Sequence, residues 1–518
     1  MANSPAVADR GRGTTPVRLT AFFYWMVIFI ILSAFQYGWG IAELNVLQDA
    51  LTCKEDNLTH ESTSKGTPGN DCIGLTETQF GYVTALFTVG GFLSSLSLST
   101  IAQRLQFGQR ISIFLAALFN TTGGAIISMS AGFVSAGVGR FVMGLGAGIA
   151  VVCVPIYLSD ISPPALKGSV GVLNQLGIVL GIFAAQVTGS LLTSPGHSIS
   201  WRWTPGISAV ISAAQLVCGM LFALESPRWE EEKNGDAGKQ RAQRICAKLW
   251  SSTGAAAQSR HSSANEETEA LLQDRSHFQS PHMPSTHETS FADLLKDSEI
   301  RPGMVLIAFT QLGQQLSGVN AVLYYSTGIL GSLLKDDNGA RASARWMGVG
   351  ITVVNAVMTF PPIFLIPEHR FGRKNLLLLS SGTMVLSSLV LGLSLQLGWS
   401  DILSAACLLL FVMGFSVGLG PVPFLILPEL VPARAMSHAS SVGLALNWVA
   451  NIVLASSFLP LRYFFASIDG GRGGSIFWVF TVVNTLTFFV VLKKYRYSGD
   501  EMRRLTSAGD GTAPAELN

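Results

Sequence analysis

Gln314-Gln315-Leu316-Ser317-Gly318-Val319-Asn320-Ala321-Val322-Leu323-Tyr324-Tyr325-Ser326-Thr327 interrupts an apolar run, 303–334, that is long enough to cross a bilayer. Its three amides, two phenols and hydroxyls are uncharged groups that both donate and accept hydrogen bonds. Such groups are costly in lipid, so they face a bundle interior or a wet cavity. Two readings stand: a site for a neutral, hydroxyl-rich ligand, or interhelical glue. An ideal helix places Gln315 and Asn320 about 140° apart. If both serve one site the helix must bend or unwind, and Gly318 is the natural place. Broken helices at mid-membrane depth are a recurrent way of building transporter sites.

The composition agrees. Of 518 residues, 49% are hydrophobic and 13% charged, against about 25% charged in a soluble protein. The net charge of +2 and the lack of any basic arm give no reason to expect a nucleic-acid partner. None of the six cysteines has metal-ligand spacing, and Cys153, Cys218 and Cys407 fall in apolar runs. No Ser-His-Asp arrangement or phosphate loop stands out, so neither an enzyme nor a cofactor is expected. The first apolar run is too long for a cleaved signal and reads as a retained span.

Twelve apolar spans are expected: 21–43, 78–101, 111–130, 133–157, 170–193, 206–224, 303–334, 346–367, 375–396, 401–428, 437–461 and 474–493. They divide into a cytosolic N-terminus (1–20), a six-helix bundle (21–224), a cytosolic loop (225–302), a second six-helix bundle (303–493) and a tail (494–518). With the long loop set aside, 15 Lys and Arg lie on one side and 9 on the other, counting Arg140 and Arg202 with the latter. That places both termini inside. The 44–77 loop then faces outward or into a lumen. It carries Cys53 and Cys72, which an oxidising compartment would let pair, and between them the glycosylation sequon Asn57-Leu58-Thr59. Ser251 to Thr289 is too polar to bury a core and reads as disordered, flanked by short helices near 237–250 and 291–297. Within it Glu267-Thr268-Glu269-Ala270-Leu271-Leu272 resembles an acidic dileucine sorting signal, with Glu267, Leu271 and Leu272 presented to a sorting adaptor. The alternative is an incidental Leu pair in a solvated charge run.

The two halves repeat. Phe107-Gly108-Gln109-Arg110 follows the second span and Phe371-Gly372-Arg373-Lys374 the eighth, 264 residues on. Asp160-Ile161-Ser162-Pro163 follows the fourth and Glu429-Leu430-Val431-Pro432 the tenth, 269 residues on. With these stand Gly139-Arg140-Phe141, Pro155-Ile156-Tyr157-Leu158-Ser159-Asp160, Asn174-Gln175-Leu176-Gly177, Glu225-Ser226-Pro227-Arg228-Trp229, Gly420-Pro421-Val422-Pro423 and Asn447-Trp448. In this order over about 20–495 they resemble the sugar porter family of the major facilitator superfamily, including hexose facilitators and fungal vacuolar-type relatives.

That resemblance implies an all-α membrane protein of major facilitator fold with a polyol cavity between the halves. Matched to the family's motifs, Gln175, Gln314, Gln315, Asn320, Asn355 and Asn451 would bind the ligand. Ile178 and Ile182 would form an apolar wall, and Trp448 an aromatic floor. Arg110, Asp160, Lys167, Glu225, Arg228, Glu368, Arg373, Glu429 and Arg434 would form salt bridges between the halves at the inner face. Ordinary snorkelling and anchoring would also explain Arg373. The sequence departs from the family at Gln109, Ser416, Phe424 and Met436, and no Pro-Glu-Thr-Lys-Gly pattern follows Tyr495. In proton-coupled relatives an acid stands at the position of Gly40, which cannot take a proton, so facilitated diffusion is expected. Glu43, three residues on, reads as a solvated residue at the membrane edge, with a displaced proton site as the alternative.

The expectation is a transporter of a neutral monosaccharide, a hexose, working by alternating access as a monomer in a bilayer. The dileucine-like segment places it in a vacuolar or lysosome-like membrane, with the plasma membrane second. The rivals are a proton-coupled sugar or inositol symporter, and a non-transporting sensor or trafficking protein of the same fold.

Overall fold

The computed structural model describes residues 17–53, 73–163, 166–192, 200–252, 300–322, 340–365, 371–431, 433–468 and 474–509. The first half comprises α1 (Ala21–Leu51), α2 (Glu77–Leu105), α3 (Gln109–Ser128), α4 (Phe133–Ile161), α5 (Lys167–Leu192) and α6 (Trp203–Phe222). The amphipathic helix α7 (Pro227–Leu249) links it to the second. There follow α8 (Arg301–Leu316), α9 (Ala340–Met358), α10 (Pro361–Leu365), α11 (Arg373–Leu397), α12 (Asp401–Val417), α13 (Val422–Leu430), α14 (Ala433–Ile468) and α15 (Ile476–Gly509).

Among the described residues eleven stretches are long and apolar enough to span a membrane, so the chain is a multi-pass integral membrane protein. The seventh expected span is represented by α8, 16 residues long, and the rest of 303–334 lies mostly outside the described residues. The tenth is two helices, because Gly418-Leu419-Gly420-Pro421 breaks α12 from α13. The twelfth runs on helically to Gly509, beyond the expected boundary at 493. The helix expected at 237–250 begins earlier, at Pro227, with Ser226 as its N-cap.

One feature was not expected. Strand β1 (Val17–Leu19) pairs antiparallel with β2 (Trp250–Ser252), joining the two ends of the N-terminal half. Thr20, the N-cap of α1, also donates to Leu249 O at 2.9 Å and Lys248 O at 2.7 Å. Short polar side chains at a helix start satisfy backbone groups that the helix cannot; this one additionally ties α1 to α7.

Within the first half α1 packs on α5 and α2 on α4. The α1–α5 contact depends on absent side chains. A Cβ on Gly38 would lie 1.8 Å from Ile178 O, and one on Gly181 1.9 Å from Phe35 O. Between membrane helices, small residues let backbones approach until dispersion holds them. The halves meet where α2 packs on α14 and α5 on α9. These interfaces are mates under the sequence repeat, since spans two and five correspond to spans eight and eleven. One apolar core runs across both halves, from Trp39 and Phe87 to Phe411 and Phe458.

Candidate functional site

Helix α8 ends at Leu316, Gly318 takes φ 100°, and helical backbone resumes at 319–322. A Cβ at Gly318 would also lie 2.6 Å from the Phe480 ring. Both the backbone conformation and the space therefore require glycine. The break places Gln315 and Asn320 together: Asn320 Nδ2 donates to Gln315 Oε1. Gln315 Nε2 donates to Asn447 Oδ1 at 2.8 Å, and Asn447 Nδ2 donates to Gln314 Oε1 at 2.7 Å and Gln311 Oε1 at 2.9 Å. Gln314 Nε2 reaches Leu419 O and Gly420 O at 2.9 and 2.8 Å, in the break between α12 and α13. Three interrupted or adjoining segments thus share one network of neutral amides, and all four of Gln314, Gln315, Asn320 and Asn447 are buried.

The first half meets this network through α5. Gln175 is half-buried, and its Nε2 is 3.5 Å from where a Cβ on Gly420 would stand. Ile178 packs beside Gly38, and Ile182 is buried. Trp448, on α14, faces the first half: a Cβ on Gly91 would lie 2.3 Å from its ring, and Tyr37 meets it edge-on at 6.0 Å. Asn451 is buried one turn further along α14. Asn355, on α9, accepts from Ser416 Oγ at 2.7 Å, so its carbonyl oxygen is engaged between helices. Asn447 and Gln311 were not singled out as ligand candidates. Asn447 stood in a quoted motif, and Gln311 sits one helical turn before Gln314 and Gln315 on the same face.

Glu43 is not solvated at the membrane edge, as expected from its place near the end of the span; it is 0% exposed and 3.6 Å from Arg140, also 0% exposed. Arg140 likewise belongs to the bundle interior, not the outer surface where the charge count placed it. Its guanidinium lies 4.4 Å from the Phe87 ring centroid, and Phe87 stacks on Tyr37 at 6.3 Å. These contacts run from the Trp448 wall to the ion pair. Glu43 and Arg140 are the only charged side chains that are fully buried among the described residues.

At the face expected to lie inside, the charged residues of the first-half motifs bond within that half and its linker helix. Glu225 Oε1 accepts from the backbone N–H groups of Arg110 at 3.0 Å and Ser226 at 2.9 Å, which caps the start of α3 where Gly108 has no side chain to do so. Burial pushes the Glu225 carboxyl above its ordinary value, and the N–H donors of Arg110 and Ser226 pull it back in part. Asp160 accepts from Ser226 Oγ at 2.7 Å, Arg228 pairs with Glu232 at 2.8 Å, and Arg110 donates to Met220 O at 3.3 Å. Lys167 and Arg373 open α5 and α11. Glu368 lies outside the described residues, as do the side chains of Glu429 and Arg434. On the opposite face Tyr463 Oη donates to the Glu77 carboxylate, linking α14 to α2 between the halves. Burial, reinforced by that bond, pushes the Tyr463 hydroxyl up to about 12.

Cys53 is disulfide-bonded. Its expected partner Cys72 lies outside the described residues, with Asn57 and the Glu267, Leu271 and Leu272 segment. No His, Cys, Asp and Glu grouping among the described residues could hold a metal.

The profile of the family described as "Sugar (and other) transporter" matches residues 25–497. A "Probable metabolite transport protein YBR241C" of Saccharomyces cerevisiae is 28% identical over 492 residues, covering 93% of this chain and 94% of that one. The "Solute carrier family 2, facilitated glucose transporter member 3" of Ovis aries is 30% identical over 520 residues, covering 96% and 94%. Among solved structures, the proton:xylose symporter XylE bound to 6-bromo-6-deoxy-D-glucose matches with a TM-score of 0.69 at 17% identity, over 94% of this chain and all of that one.

Proposed function

The chain belongs to the sugar (and other) transporter family and has the major facilitator fold, and from that premise we propose that it carries a neutral monosaccharide, a hexose, across its membrane by alternating access. The observation that carries this reading is the break at Gly318, which brings Asn320 onto Gln315 and so into the network that Gln314 and Gln315 share with Asn447 of a second helix. Amides present both donors and acceptors, as hydroxyls do, and carry no charge that would demand a counter-ion. A saccharide entering between α5, α8 and α14 exchanges amide–amide bonds for amide–hydroxyl bonds. Its C–H face has Trp448 to lie on. Gln175, Ile178, Ile182, Asn355 and Asn451 complete the proposed lining. The charged residues of the inner face bias the two open states; single exposed pairs there contribute roughly 0–1 kcal/mol each, so several must act together.

The test is uptake of labelled hexoses by the purified protein in liposomes. Saturable, stereospecific flux is expected, with KM raised at least tenfold in Gln315→Ala. No flux of any monosaccharide overturns the proposal.

The buried Glu43–Arg140 pair favours a second reading, proton-coupled symport, over facilitated diffusion. A carboxylate with one charged partner inside a bundle is the kind of group whose protonation can follow a conformational change. Under a pH gradient, symport gives accumulation that Glu43→Gln abolishes while exchange persists. Equilibration without accumulation in the wild type favours diffusion. The 267–272 segment supports placement in a vacuolar or lysosome-like membrane. A fluorescent fusion bearing Leu271→Ala and Leu272→Ala should then move to the cell surface.

A further inference from the structure

The interior of the first half carries a polar seam that the transport reading does not use. On α1, Ser33, Gln36 and Glu43 fall at helical spacing on one face, and all are 0% exposed. On α6, Thr204, Ser208, Ser212 and Gln215 do the same and are equally buried. Two bonds set the antiparallel register between these faces: Gln215 Nε2 to Ser33 Oγ at 2.8 Å, and Ser208 Oγ to Gln36 Oε1 at 2.8 Å. That register brings Thr204 to the level of Glu43. Asn120 of α3 is buried one turn from Gly124, whose Cβ would meet Pro205 and Ala209 of α6; its own amide lies beside α4, with Oδ1 3.0 Å from where a Cβ on Gly146 would stand.

Most of these groups are only partly satisfied. Gln36 Nε2, both side-chain polar atoms of Asn120, Thr204 Oγ1, Ser212 Oγ and Gln215 Oε1 are buried and make no hydrogen bond among the described residues. Both Glu43 oxygens lack one as well, and are held by the ion pair alone. Buried polar groups are bonded to protein or to ordered water in the great majority of cases. A seam with this many orphaned donors and acceptors in a row offers water the two to four polar partners it needs.

We propose that a file of ordered water occupies the seam between α1 and α6 and keeps the Glu43–Arg140 pair in aqueous contact by a route separate from the saccharide chamber. The ligand class is water itself, bound by hydroxyls and amides of one bundle. The pair then sits in a hydrated pocket inside a single half, able to exchange protons with solvent while the chamber between the halves opens and closes. This goes beyond the transport reading and stands whichever solute is carried.

X-ray radiolysis of the purified protein tests it, because bound water yields hydroxyl radicals that oxidise adjacent side chains. Met143, whose Sδ is 4.0 Å from Arg140, and Trp39 are the reporters, at 0% and 1% exposure. Met26, 0% exposed, sits in an apolar cluster separate from the one that holds Met143 and Trp39, and Met384, also 0% exposed, lies in the second half; both are remote from the seam and serve as controls. If the seam is wet, Met143 and Trp39 are oxidised roughly tenfold or more faster than the controls. Ser212→Ala with Thr204→Val then cuts Met143 oxidation about threefold or more and leaves Met26 unchanged. Reporters as slow as the controls in the wild type overturn the proposal, and that arm needs no variant to fold. So does fast oxidation that the double variant leaves untouched. The footprint needs no sugar flux, so its failure and the failure of the transport reading are separate results.

Discussion

The two bundle interiors solve the same problem in opposite ways. In the second half, Gln311, Gln314, Gln315, Asn320 and Asn447 bond mainly to one another and to the carbonyls of Leu419 and Gly420, with Gln311 Nε2 the donor of the five left open. In the first half, polar groups of equal burial leave donors and acceptors open beside a charged pair. Neutral amides can saturate each other because each carries both functions. A carboxylate and a guanidinium cannot: one only accepts and the other only donates, and their neighbours must supply the remainder. The self-satisfied interior suits a site that exchanges internal partners for a hydroxylated ligand. The unsatisfied interior suits a charge that must remain in touch with water.

The largest effect should come from breaking that charge pair. Arg140→Leu leaves Glu43 buried without its counter-ion and is expected to cost about 3–5 kcal/mol, read as thermal unfolding in detergent. Adding Glu43→Met should recover most of the loss, since replacing both partners removes the buried charge. If the double variant is no better than the single, the pair is not what holds the first half together. Next is Gly318→Ala, which forces a Cβ into a left-handed conformation against Phe480. A cost of about 1–3 kcal/mol and loss of saturable uptake are expected, whereas Gly350→Ala, with open space around its Cα, should be nearly silent. Third, Asn447→Ala removes the hub of the amide network and should raise KM for hexose at least tenfold, equivalent to about 1.4 kcal/mol; unchanged KM would make the network glue alone.

The smallest effect concerns the inner face. The Glu225 carboxyl is raised, so between its ordinary and its raised pKa the folded chain holds a proton that the unfolded chain has released. Its contribution is fully present below the ordinary value and is lost as pH rises through the raised one. Glu225→Gln should flatten that slope in melting temperature against pH while keeping an acceptor for the Arg110 N–H, at a cost of about 1 kcal/mol or less. A slope that survives the substitution assigns the titration to another group.

The fold was largely legible because hydropathy reports directly on the need to satisfy backbone groups within each span. The break at Gly318 was legible as a condition: if Gln315 and Asn320 were to meet, their angular offset required the helix to bend or unwind there. Glu43 was not, because position along a span gives depth but not which way a side chain points. Its partner Arg140 lies 97 positions away in a different helix, and no local pattern joins them. The polar rows on α1 and α6 were present as Ser33, Gln36, Glu43 and Thr204, Ser208, Ser212, Gln215. Polar periodicity inside an apolar run is the signal that would have found the seam. Glu225 was read as a gate because the resemblance to sugar porters implies salt bridges between the halves at that motif. Its backbone donors follow from the fold of the Gly108 turn, which composition does not reveal.

The ribbon of Val17–Leu19 against Trp250–Ser252 imposes an order on synthesis. Thr20 can dock on Leu249 only after 229 further residues have left the ribosome, by which point all six spans of the first half have been made. The clasp uses residues of the first half and its linker alone, so it can close over one completed half without any helix of the other.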